Sequence, residues 1–475
     1  MAQVVKYRSK DALVRGWEAT LAASPDGAAI RDPRGDVLRT FAQIEAESVD
    51  LTANVLVGFA AGQVVGIQIG NHASWPALLL ACLRRKVVAV PLESSINDGE
   101  RERALRTCQA VGFVALEAQA LRAHKFSGSA PIDWGERPPA LMKVTSGTTA
   151  APRAIRFGSD QLLADCNQIC ETMGIATSDL NFAVIPFSHS YGFSNLITPL
   201  LTRGIPLVLI RDRLPRALLE GLATTNATIF PGMPVFYQSF CQMDQVPVLP
   251  ALRLCISAGA PLPLAVAQQF RTKFGLAIHS FYGSSECGGI CYDREALLEI
   301  PGFVGPPMRG LSLEKLEPEV RVGRVSVRSE AVGDGYFPAP DEERLGAGRF
   351  IPDDLLVATK EGFQITGRVS DLINVAGKKV NPAEIEAVLL AHPAVRDVIV
   401  FGRASTLRNE EVAACVVVDA PVTEADLLRV CRQKFSGWQV PKTIFFTDSI
   451  PVNERGKVSR RELALHFARG RKSER

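Results

Sequence analysis

The sequence predicts an α/β protein with a mainly parallel, helix-covered sheet, followed by an antiparallel β segment and a compact α+β unit. Three observations predict this fold class. Apolar strand-like runs alternate with amphipathic helical windows to about residue 300, Gly, Pro and Asp turns then separate short strands, and the pattern changes again after Gly367-Arg368. Strand–helix alternation is typical of parallel sheets, whereas short strands between turns are typical of antiparallel ones.

The alternation is clearest near the start of the chain. Residues 64–69 and 87–92 are apolar runs of strand length, and residues 75–83 between them have the length of a helix. Together they predict a β-α-β passage, the unit from which parallel sheets are built. Residues 301–365 hold short runs such as 323–328 between turns, which predicts antiparallel β structure and a small barrel.

The C-terminal part predicts a separate α+β unit. Asn381 is placed to cap a helix, Pro382 suits the first helical position, and Glu384 can complete a capping box. This helix should end before His392-Pro393, because the residue before a proline disfavours the α conformation. The unit is completed by expected strands at 395–401, 412–418 and 443–446 and an expected helix at 423–435.

The composition excludes several function classes. A chain of 475 residues, 47% of them hydrophobic and 22% charged, can bury a large core. Lys and Arg (53) nearly balance Asp and Glu (50), so no overall charge points to nucleic acid or an anionic membrane. No apolar run approaches the roughly 20 residues of a membrane span, and the N-terminus has no signal-like apolar region. We therefore expect a cytoplasmic protein with no nucleic-acid partner and no integral membrane association.

Cysteine and histidine usage gives no sign of a transition-metal site. The pairs Cys166/Cys170 and Cys287/Cys291 lack the second pair of a zinc knuckle, and the six His form no zinc-type motif. Ten Cys in so long a chain are also too few for a disulfide scaffold. We expect reduced, mostly buried thiols.

Three short motifs carry recognisable chemistry. Residues 145–149 offer hydroxyls and closely spaced backbone N–H groups that can hold polyphosphate oxygens. Residues 281–286 combine an aromatic face with Glu286, whose carboxylate can ligate Mg²⁺. Lys457 lies on a Gly-containing loop at 451–457. Singly, each motif is also compatible with an ordinary turn or a solvated loop. Neither the P-loop pattern nor GxGxxG occurs, which excludes P-loop NTPases and dinucleotide oxidoreductases.

The set and order of the motifs resemble the adenylate-forming superfamily, which contains acyl-CoA synthetases, peptide-synthetase adenylation domains and luciferases. The similarity spans nearly the whole chain and is greatest to the AMP-forming acyl- and aryl-CoA synthetases. It rests on residues 145–149, 186–189, 257–263 and 282–286, Asp354, Gly367-Arg368, residues 381–386 and the loop that contains Lys457.

The resemblance implies two domains. An N-terminal domain at 1–369, built from two α/β subdomains and a small β-barrel, would bind ATP and the acid. A mobile C-terminal domain at 370–475 would carry the catalytic lysine and alternate between two half-reactions, with Ser370 at the hinge.

The implied activity is AMP-forming activation of a carboxylic acid. The acid attacks the α-phosphate of ATP and forms an acyl-adenylate, and a thiol then displaces AMP. ATP, Mg²⁺ and CoA are the implied cofactors. The implied catalytic residues are Lys457, Glu286 and His189, and the implied metal ligands are Glu286 and Thr145. The implied nucleotide contacts are Thr145, Ser146, Gly147, Thr148, Thr149, Arg153, Gly259, Ala260, Pro261, Tyr282, Gly283, Ser284, Ser285, Asp354 and Arg368.

The chain departs from the family pattern in the phosphate loop, at the hinge and at residues 352–354, where Pro-Asp-Asp replaces the usual Thr-Gly-Asp; Asp354 aligns best with the family's Asp, and Asp353 beside it is the alternative. Ala150 replaces a usual Gly, which removes easy access to positive φ, and Arg153 replaces a usual Lys. Ser370 stands where the family has Asp or Lys. These changes bear on rate and loop dynamics more than on activity, because Glu286 and Lys457 are retained.

The expected substrate is an aliphatic or aryl acid. Residues 187–193 contain no carboxylate that would pair with the ammonium of an amino acid. The acid pocket is implied to include Tyr191, Gly192, Met233, Tyr237 and Gly288.

Two thiols are compatible with the sequence as the acyl acceptor: that of CoA and that of a carrier protein. Gly377 is implied to flank pantetheine, and Lys378 and Lys379 beside it suit CoA phosphates or the acidic surface of a carrier protein. CoA is favoured because the chain carries no carrier domain. The alternatives are a stand-alone enzyme that loads an acyl or peptidyl carrier protein and a non-catalytic nucleotide-binding homologue. The expected state is a monomer or homodimer.

Overall fold

A computed structural model describes residues 10–126, 132–136, 138–145, 153–296, 300–405, 409–450 and 460–469. The chain divides into two compact units. Unit 1 covers the chain up to Leu316 with Val325–Pro352 and Ala358–Gln364, and unit 2 covers Glu317–Arg324, Asp353–Val357 and the chain from Ile365 on. The last segment of unit 2 thus begins slightly before Ser370. The two short segments of unit 2, Glu317–Arg324 and Asp353–Val357, pair with each other, with Val322 opposite Val357 and Gly323 opposite Leu356.

The first part of unit 1 alternates strands and helices. The predicted β-α-β passage is confirmed as β3, α3 and β4. Helix α2 begins at a capping box, in which Thr40 accepts from the Gln43 N–H and the Gln43 side chain accepts from the Thr40 N–H. The elements are α1 (Ala12–Ala23), β1 (Ala28–Arg31), β2 (Val37–Thr40), α2 (Phe41–Asn54), β3 (Val64–Gln68), α3 (Trp75–Arg85), β4 (Val88–Pro91), α4 (Asp98–Thr107), β5 (Gly112–Glu117), β6 (Ala120–Lys125), β7 (Leu141–Thr145) and β8 (Arg153–Phe157).

The alternation continues to Tyr292. A π-helical turn at Phe193–Ile197 interrupts it, a feature that is frequent at functional sites. The elements are α5 (Ser159–Met173), β9 (Asn181–Ala183), α6 (Ser190–Gly192), α7 (Thr198–Arg203), β10 (Leu207–Leu209), α8 (Pro215–Thr225), β11 (Ile229–Gly232), α9 (Pro234–Gln242), β12 (Leu254–Ser257), α10 (Leu264–Phe274), β13 (Ile278–Ser284) and β14 (Gly288–Tyr292).

The region predicted as antiparallel β is confirmed. Strands β16, β18, β21 and β20 form a four-stranded antiparallel sheet in that order. The strands of this region are β15 (Phe303–Gly305), β16 (Ser312–Lys315), β17 (Val322–Gly323), β18 (Val325–Arg328), β19 (Gly335–Phe337), β20 (Leu345–Gly346), β21 (Arg349–Phe350), β22 (Asp354–Ala358) and β23 (Phe363–Arg368).

Two large sheets organise unit 1. The eight-stranded sheet has the order β14-β13-β12-β11-β9-β10-β1-β2, and β1, β10, β9, β11, β12 and β13 run parallel within it. The seven-stranded sheet has the order β19-β8-β7-β4-β3-β5-β6, with a parallel centre formed by β7, β4, β3 and β5. The predicted α/β class is therefore confirmed.

Unit 2 has the predicted α+β composition. Its sheet has the order β25-β24-β27-β26, and β28 pairs in parallel with β27. The elements after β23 are a 3₁₀ turn (Val369–Asp371), β24 (Ile373–Val375), β25 (Lys378–Val380), α11 (Pro382–Leu390), β26 (Val395–Ser405), β27 (Asn409–Val418), α12 (Glu424–Lys434), β28 (Thr443–Phe446) and α13 (Arg460–Arg469).

The cap of α11 is confirmed, but the capping box is not formed. The Asn381 side chain accepts from the Ala383 N–H at 3.2 Å, and α11 ends at Leu390, before His392-Pro393. Asn381 also donates its amide to the Thr366 carbonyl at 2.9 Å. This cap therefore joins α11 to β23, and Glu384 takes no part in it.

The ten cysteines all lie in the described ranges as thiols, and all but Cys241 are buried. Burial raises the pKa of Cys82 to about 12, so this thiol is inert at neutral pH. None of the described helices is both long enough and apolar enough to cross a membrane.

Candidate active site

Three predicted site segments follow neighbouring parallel strands of the eight-stranded sheet. Gly232, which ends β11, lies opposite Ser257, which ends β12, and Ser257 also pairs with Ser280 in β13. The segments after these strands therefore leave the sheet at one edge, where open parallel sheets bind ligands. A Cβ placed on Gly259, whose φ is +84°, would lie 3.9 Å from Met233 Sδ. The structure thus brings predicted nucleotide and acid residues together.

The hairpin of β13 and β14 carries residues 282–286. Tyr282 is buried, and a Cβ on Gly283 would lie only 2.6 Å from the Gly288 carbonyl oxygen, so this close approach requires glycine. Ser284 Oγ accepts from the Glu286 N–H at 3.3 Å. The five residues from Ser285 to Gly289 that follow β13 are called the Glu286 turn below.

Glu286 is fixed through both its side chain and its backbone. The Tyr336 hydroxyl donates to Oε1 at 3.1 Å, and the Gly333 N–H donates to the Glu286 carbonyl at 2.9 Å. Burial raises the pKa of the Glu286 carboxyl above its ordinary value, and the hydrogen bond from Tyr336 offsets part of that rise. A cation beside this carboxylate would favour its charged form.

The predicted segment 187–193 reaches the same turn. Ser190 Oγ donates to Ser285 Oγ at 3.1 Å, and the Tyr191 ring lies 5.7 Å from the Phe281 ring. His189 caps α6, because its Nδ1 accepts from the Tyr191 N–H at 3.2 Å. In the neutral ring the proton is therefore on Nε2.

The acid-pocket residues fall into two groups. Tyr237 lies in the core, completely buried, and its hydroxyl donates to the Ile256 carbonyl at 2.8 Å. Its ring packs against neighbouring aromatic rings, and the expected contact with the acid stays a prediction. Met233 and Tyr191 remain at the sheet edge. Gly192 is required by packing, since a Cβ there would lie 2.1 Å from the Pro186 carbonyl oxygen.

Strands β7 and β8, which flank the predicted phosphate loop, pair antiparallel, and Thr145 lies opposite Arg153. Thr145 Oγ1 donates to the Arg153 carbonyl at 3.1 Å. The Arg153 guanidinium lies 3.3 Å from Asp341 Oδ2 and 5.2 Å from the centre of the Tyr336 ring. Arg153 would have to leave this half-buried ion pair to contact a phosphate, and that contact stays a prediction. Ser146, Gly147, Thr148, Thr149 and Lys457 lie outside the described residues.

Two predicted nucleotide residues meet in unit 2. Arg368 Nε donates to Asp354 Oδ1 at 2.8 Å. The Asp354 side chain is 11% exposed, and the Arg368 side chain is 62% exposed. The structure thus pairs residues that the sequence predicted only as separate contacts.

The predicted hinge and acceptor residues also belong to unit 2. Ser370 lies in the 3₁₀ turn, and Gly377, with φ +87°, donates its N–H to Asn374 Oδ1 at 2.9 Å. Lys378 Nζ lies 5.0 Å from the centre of the Trp438 ring, and Lys379 is exposed beside it. Their roles toward a thiol acceptor stay predictions.

The residues of unit 1 suit a magnesium ion that arrives with a nucleotide. The described ranges contain no cluster of three or more His, Cys, Asp or Glu side chains that would form a complete protein cage. Mg²⁺ usually takes one or two carboxylates, substrate phosphates and several waters. Glu286 supplies one such carboxylate, already oriented by Tyr336.

Sequence reasoning missed three residues near the Glu286 turn. Tyr336 lies in a segment noted only for its turns, and its single signal was an aromatic residue among glycines. Lys143 is a lone charge within the apolar strand β7, and Asp165 lies on the buried side of α5. For Lys143 and Asp165, the sequence signal was a charged residue at a position where the strand or helix pattern predicts an apolar one.

Comparison with known families decides the assignment. The family described as AMP-binding enzyme matches residues 17–337, and its C-terminal domain matches residues 384–457. This chain belongs to the AMP-binding enzyme family. The predicted membership in the adenylate-forming superfamily is therefore confirmed.

Relatives of this AMP-binding enzyme extend over nearly its full length. It is 27% identical to the feruloyl-CoA synthase of Amycolatopsis sp over 480 residues, which cover 94% of this chain and 96% of that protein. It is also 27% identical to the 2-succinylbenzoate–CoA ligase of Bacillus cereus (strain Q1), with 93% and 96% covered.

Solved structures show the same fold. ATP-bound MatB from Rhodopseudomonas palustris has a TM-score of 0.82 at 25% identity, with 95% of this chain and 98% of that chain covered. The o-succinylbenzoate CoA synthetase of Bacillus subtilis in complex with its acyl-adenylate has a TM-score of 0.80 at 23% identity, with 94% and 97% covered.

Proposed function

We propose that this enzyme activates a carboxylic acid with ATP and transfers the acyl group to the thiol of CoA, releasing AMP and pyrophosphate. One observation carries the proposal: the Glu286 turn, Gly259 and the 187–193 segment meet at one edge of the eight-stranded sheet. The names of the full-length relatives, which are CoA ligases and synthases, support the same reaction class.

In the first half-reaction, an acid oxygen attacks the α-phosphorus of ATP. The new O–P bond forms as the bond to the bridging oxygen of pyrophosphate breaks. Glu286 would hold Mg²⁺, which offsets the charge of the phosphates when it is bound. Ser285, oriented by Ser190, would contact the α-phosphate, and Lys457 would stabilise the negative charge that develops there.

Other residues of this chain would orient the nucleotide. Tyr282 and the 259–261 segment would bound the adenine, and Asp354 would accept hydrogen bonds from the ribose hydroxyls. Arg368 already donates to Asp354, so it would also restrain that carboxylate when ribose is bound.

In the second half-reaction, the thiol sulfur attacks the acyl carbon. A C–S bond forms, the C–O bond to AMP breaks, and the thiol proton passes to solvent. His189 would donate a hydrogen bond from Nε2 to a carboxyl oxygen, because its Nδ1 is used by the Tyr191 N–H. This arrangement would orient the acid in both half-reactions.

The acid is proposed to be aliphatic or aryl. The described 187–193 segment, which reaches the Glu286 turn through Ser190, contains no Asp or Glu to pair with an amino group. Met233 and Tyr191 present thioether and aromatic surfaces, which suit an apolar acyl group. We place the enzyme in the cytoplasm as a monomer or homodimer.

ATP–pyrophosphate exchange tests the proposal directly. With Mg²⁺, labelled pyrophosphate and no thiol, we expect exchange that depends on one class of acid in a panel of aliphatic, aryl and amino acids. Omission of the acid and chelation of Mg²⁺ are the controls. Absence of exchange with every acid, while ATP still binds, would favour a non-catalytic nucleotide-binding protein instead.

A basic cavity in unit 1 favours CoA over a carrier protein. The cavity has a volume of about 470 Å³ and is lined by residues that include Arg211, Arg213 and Asn71. Asn71 accepts from the Phe187 N–H at 2.8 Å, so the cavity adjoins the segment that leads to His189. Guanidinium groups suit the phosphates of CoA, whose pantetheine would extend along this segment.

Replacing Arg211 and Arg213 with alanine should therefore weaken use of CoA alone. We expect the KM for CoA to rise about tenfold, because each guanidinium would contribute a charge-assisted hydrogen bond to a phosphate. Pyrophosphate exchange and the KM for pantetheine should be unchanged. Arg216→Ala is the matched control, since Arg216 is exposed on α8 and pairs with Glu220. An unchanged KM for CoA, or better activity with a carrier protein, would contradict the CoA assignment.

A further inference from the structure

Lys143 is a buried lysine directly before the phosphate-loop region. The residue is 6% exposed, and its Nζ makes no hydrogen bond within the residues that the structure describes. The Nζ lies 4.6 Å from the centre of the Phe157 ring and 5.6 Å from that of Phe193. A buried ammonium is costly unless an opposite charge lies near, so a carboxylate close to Lys143 would favour its charged form.

Asp165 supplies that charge from α5. The residue is 3% exposed, and its Oδ1 accepts from the Gly289 N–H at 3.0 Å. Gly288 has φ +71°, and a Cβ there would lie 2.0 Å from the same oxygen. The carboxylate therefore lies directly against the last residues of the Glu286 turn.

Lys143 and Asp165 each affect the ionisation of the other. Burial lowers the pKa of Lys143, and Asp165 is the strongest charge that opposes this change. Burial likewise raises the pKa of Asp165, and Lys143 is the strongest opposing group. Each charge thus offsets part of the cost of burying the other, without a direct hydrogen bond or ion pair between the two side chains in the part of the chain that the structure describes.

Lys143 also shares a row of the seven-stranded sheet with the residue that holds Glu286. Lys143 in β7 lies opposite Ile155 in β8, which in turn lies opposite Tyr336 in β19. Residues in one such row point to the same face of a sheet. The Glu286 turn is therefore held by Tyr336 and Gly333 at Glu286, and by Asp165 at Gly289.

We propose that Lys143 and Asp165 are positioning residues: a buried charge pair in which Asp165 anchors the Gly289 N–H and Lys143 supplies the opposite charge, so that the turn presents Glu286 to Mg²⁺ and ATP. The part that concerns Mg²⁺ rests on the proposed function. The anchoring of the turn does not, because it depends only on groups of this chain.

Two charge-balanced double variants separate anchoring from burial. K143M/D165N removes both charges and leaves an amide oxygen that can accept from the Gly289 N–H. K143M/D165L removes both charges and the acceptor with a side chain of similar shape. Both avoid an unpaired buried charge, whereas the single variant Lys143→Met leaves the Asp165 carboxylate without its opposite charge and should lower the melting temperature more than K143M/D165N does; an equal or smaller loss would contradict the role given to Lys143.

The first measurement is amide hydrogen exchange of a peptide that spans residues 285–289. K143M/D165L should exchange about tenfold faster than wild type, the factor expected for loss of one buried hydrogen bond. K143M/D165N should stay near the wild-type rate. Lys273→Met is the matched control, because Lys273 donates to backbone carbonyls away from the turn, including Cys241 at 3.0 Å. It should lower the melting temperature without changing exchange in this peptide.

The second measurement is the Mg²⁺ concentration that gives half-maximal pyrophosphate exchange. We expect it to rise about tenfold in K143M/D165L, in proportion to the loss of turn order, and to remain within a few-fold of wild type in K143M/D165N. Equal protection of the turn in the two double variants would overturn the inference, whether or not the enzyme is active. Lack of pyrophosphate exchange by the wild-type enzyme would instead count against the proposed function.

Discussion

Replacing Lys457 with alanine is expected to remove adenylation while leaving thioester formation from a supplied acyl-adenylate intact. Lys457 would act only on charge that develops at the α-phosphate, and loss of one such group typically lowers kcat by about 10²–10³-fold. Pyrophosphate exchange measures the first half-reaction, and release of AMP from synthetic acyl-adenylate with CoA measures the second.

A second lysine of unit 2 serves as the control for this experiment. Lys442 is exposed and donates to the Gly437 carbonyl at 2.9 Å, so Lys442→Ala should change neither half-reaction. If Lys457→Ala lost both half-reactions to the same extent, Lys457 would have a structural or general binding role. The predicted restriction of this residue to adenylation would then be wrong.

Replacing Glu286 with glutamine is expected to lower Mg²⁺-dependent pyrophosphate exchange by about 10²-fold, the usual loss when one preorganised charge is removed from an active site. Glutamine has nearly the same shape and can still accept from the Tyr336 hydroxyl, so the turn should keep its conformation. The neutral amide is a poorer ligand for Mg²⁺ than a carboxylate. The required Mg²⁺ concentration should therefore rise together with the loss of rate.

Tyr336→Phe separates the charge of Glu286 from its orientation. This variant keeps the carboxylate and removes one hydrogen bond, so we expect a loss of less than about tenfold. Calorimetric titration with Mg²⁺ and ATP should show weaker binding to Glu286→Gln than to Tyr336→Phe. An unchanged Mg²⁺ dependence in Glu286→Gln would exclude Glu286 as the metal ligand.

Much of the fold could be predicted because its signals are local. The β-α-β passage, the antiparallel region and the cap at Asn381 each depend on residues that are close in the chain. The capping box at Glu384 is not formed, and the Asn381 amide donates instead to the Thr366 carbonyl in β23, a contact that local sequence does not contain.

In the candidate site, too, some residues could be predicted from local sequence and others could not. Glu286 and Asp354 were predicted from short motifs whose chemistry is evident in the residues themselves. Tyr237 has the composition of a pocket residue, yet its hydroxyl bonds to the Ile256 carbonyl inside the core. The residue type alone does not distinguish an aromatic side chain that lines a pocket from one that packs in the core behind the pocket wall.

The fold class, the family and the order of the chemical motifs follow from the sequence, because each is encoded in short stretches of chain. The groups that support these motifs are recognisable only in the folded protein. Asp165 of α5 accepts from the Gly289 N–H, Tyr336 donates to Glu286, and Lys143 is buried with a charge opposite to that of Asp165. These partners are distant in sequence and are joined by packing of a helix and two sheets. Burial makes each contact stronger, because a charged or polar group removed from water loses its hydration. Its free energy then depends on the partner that the fold supplies.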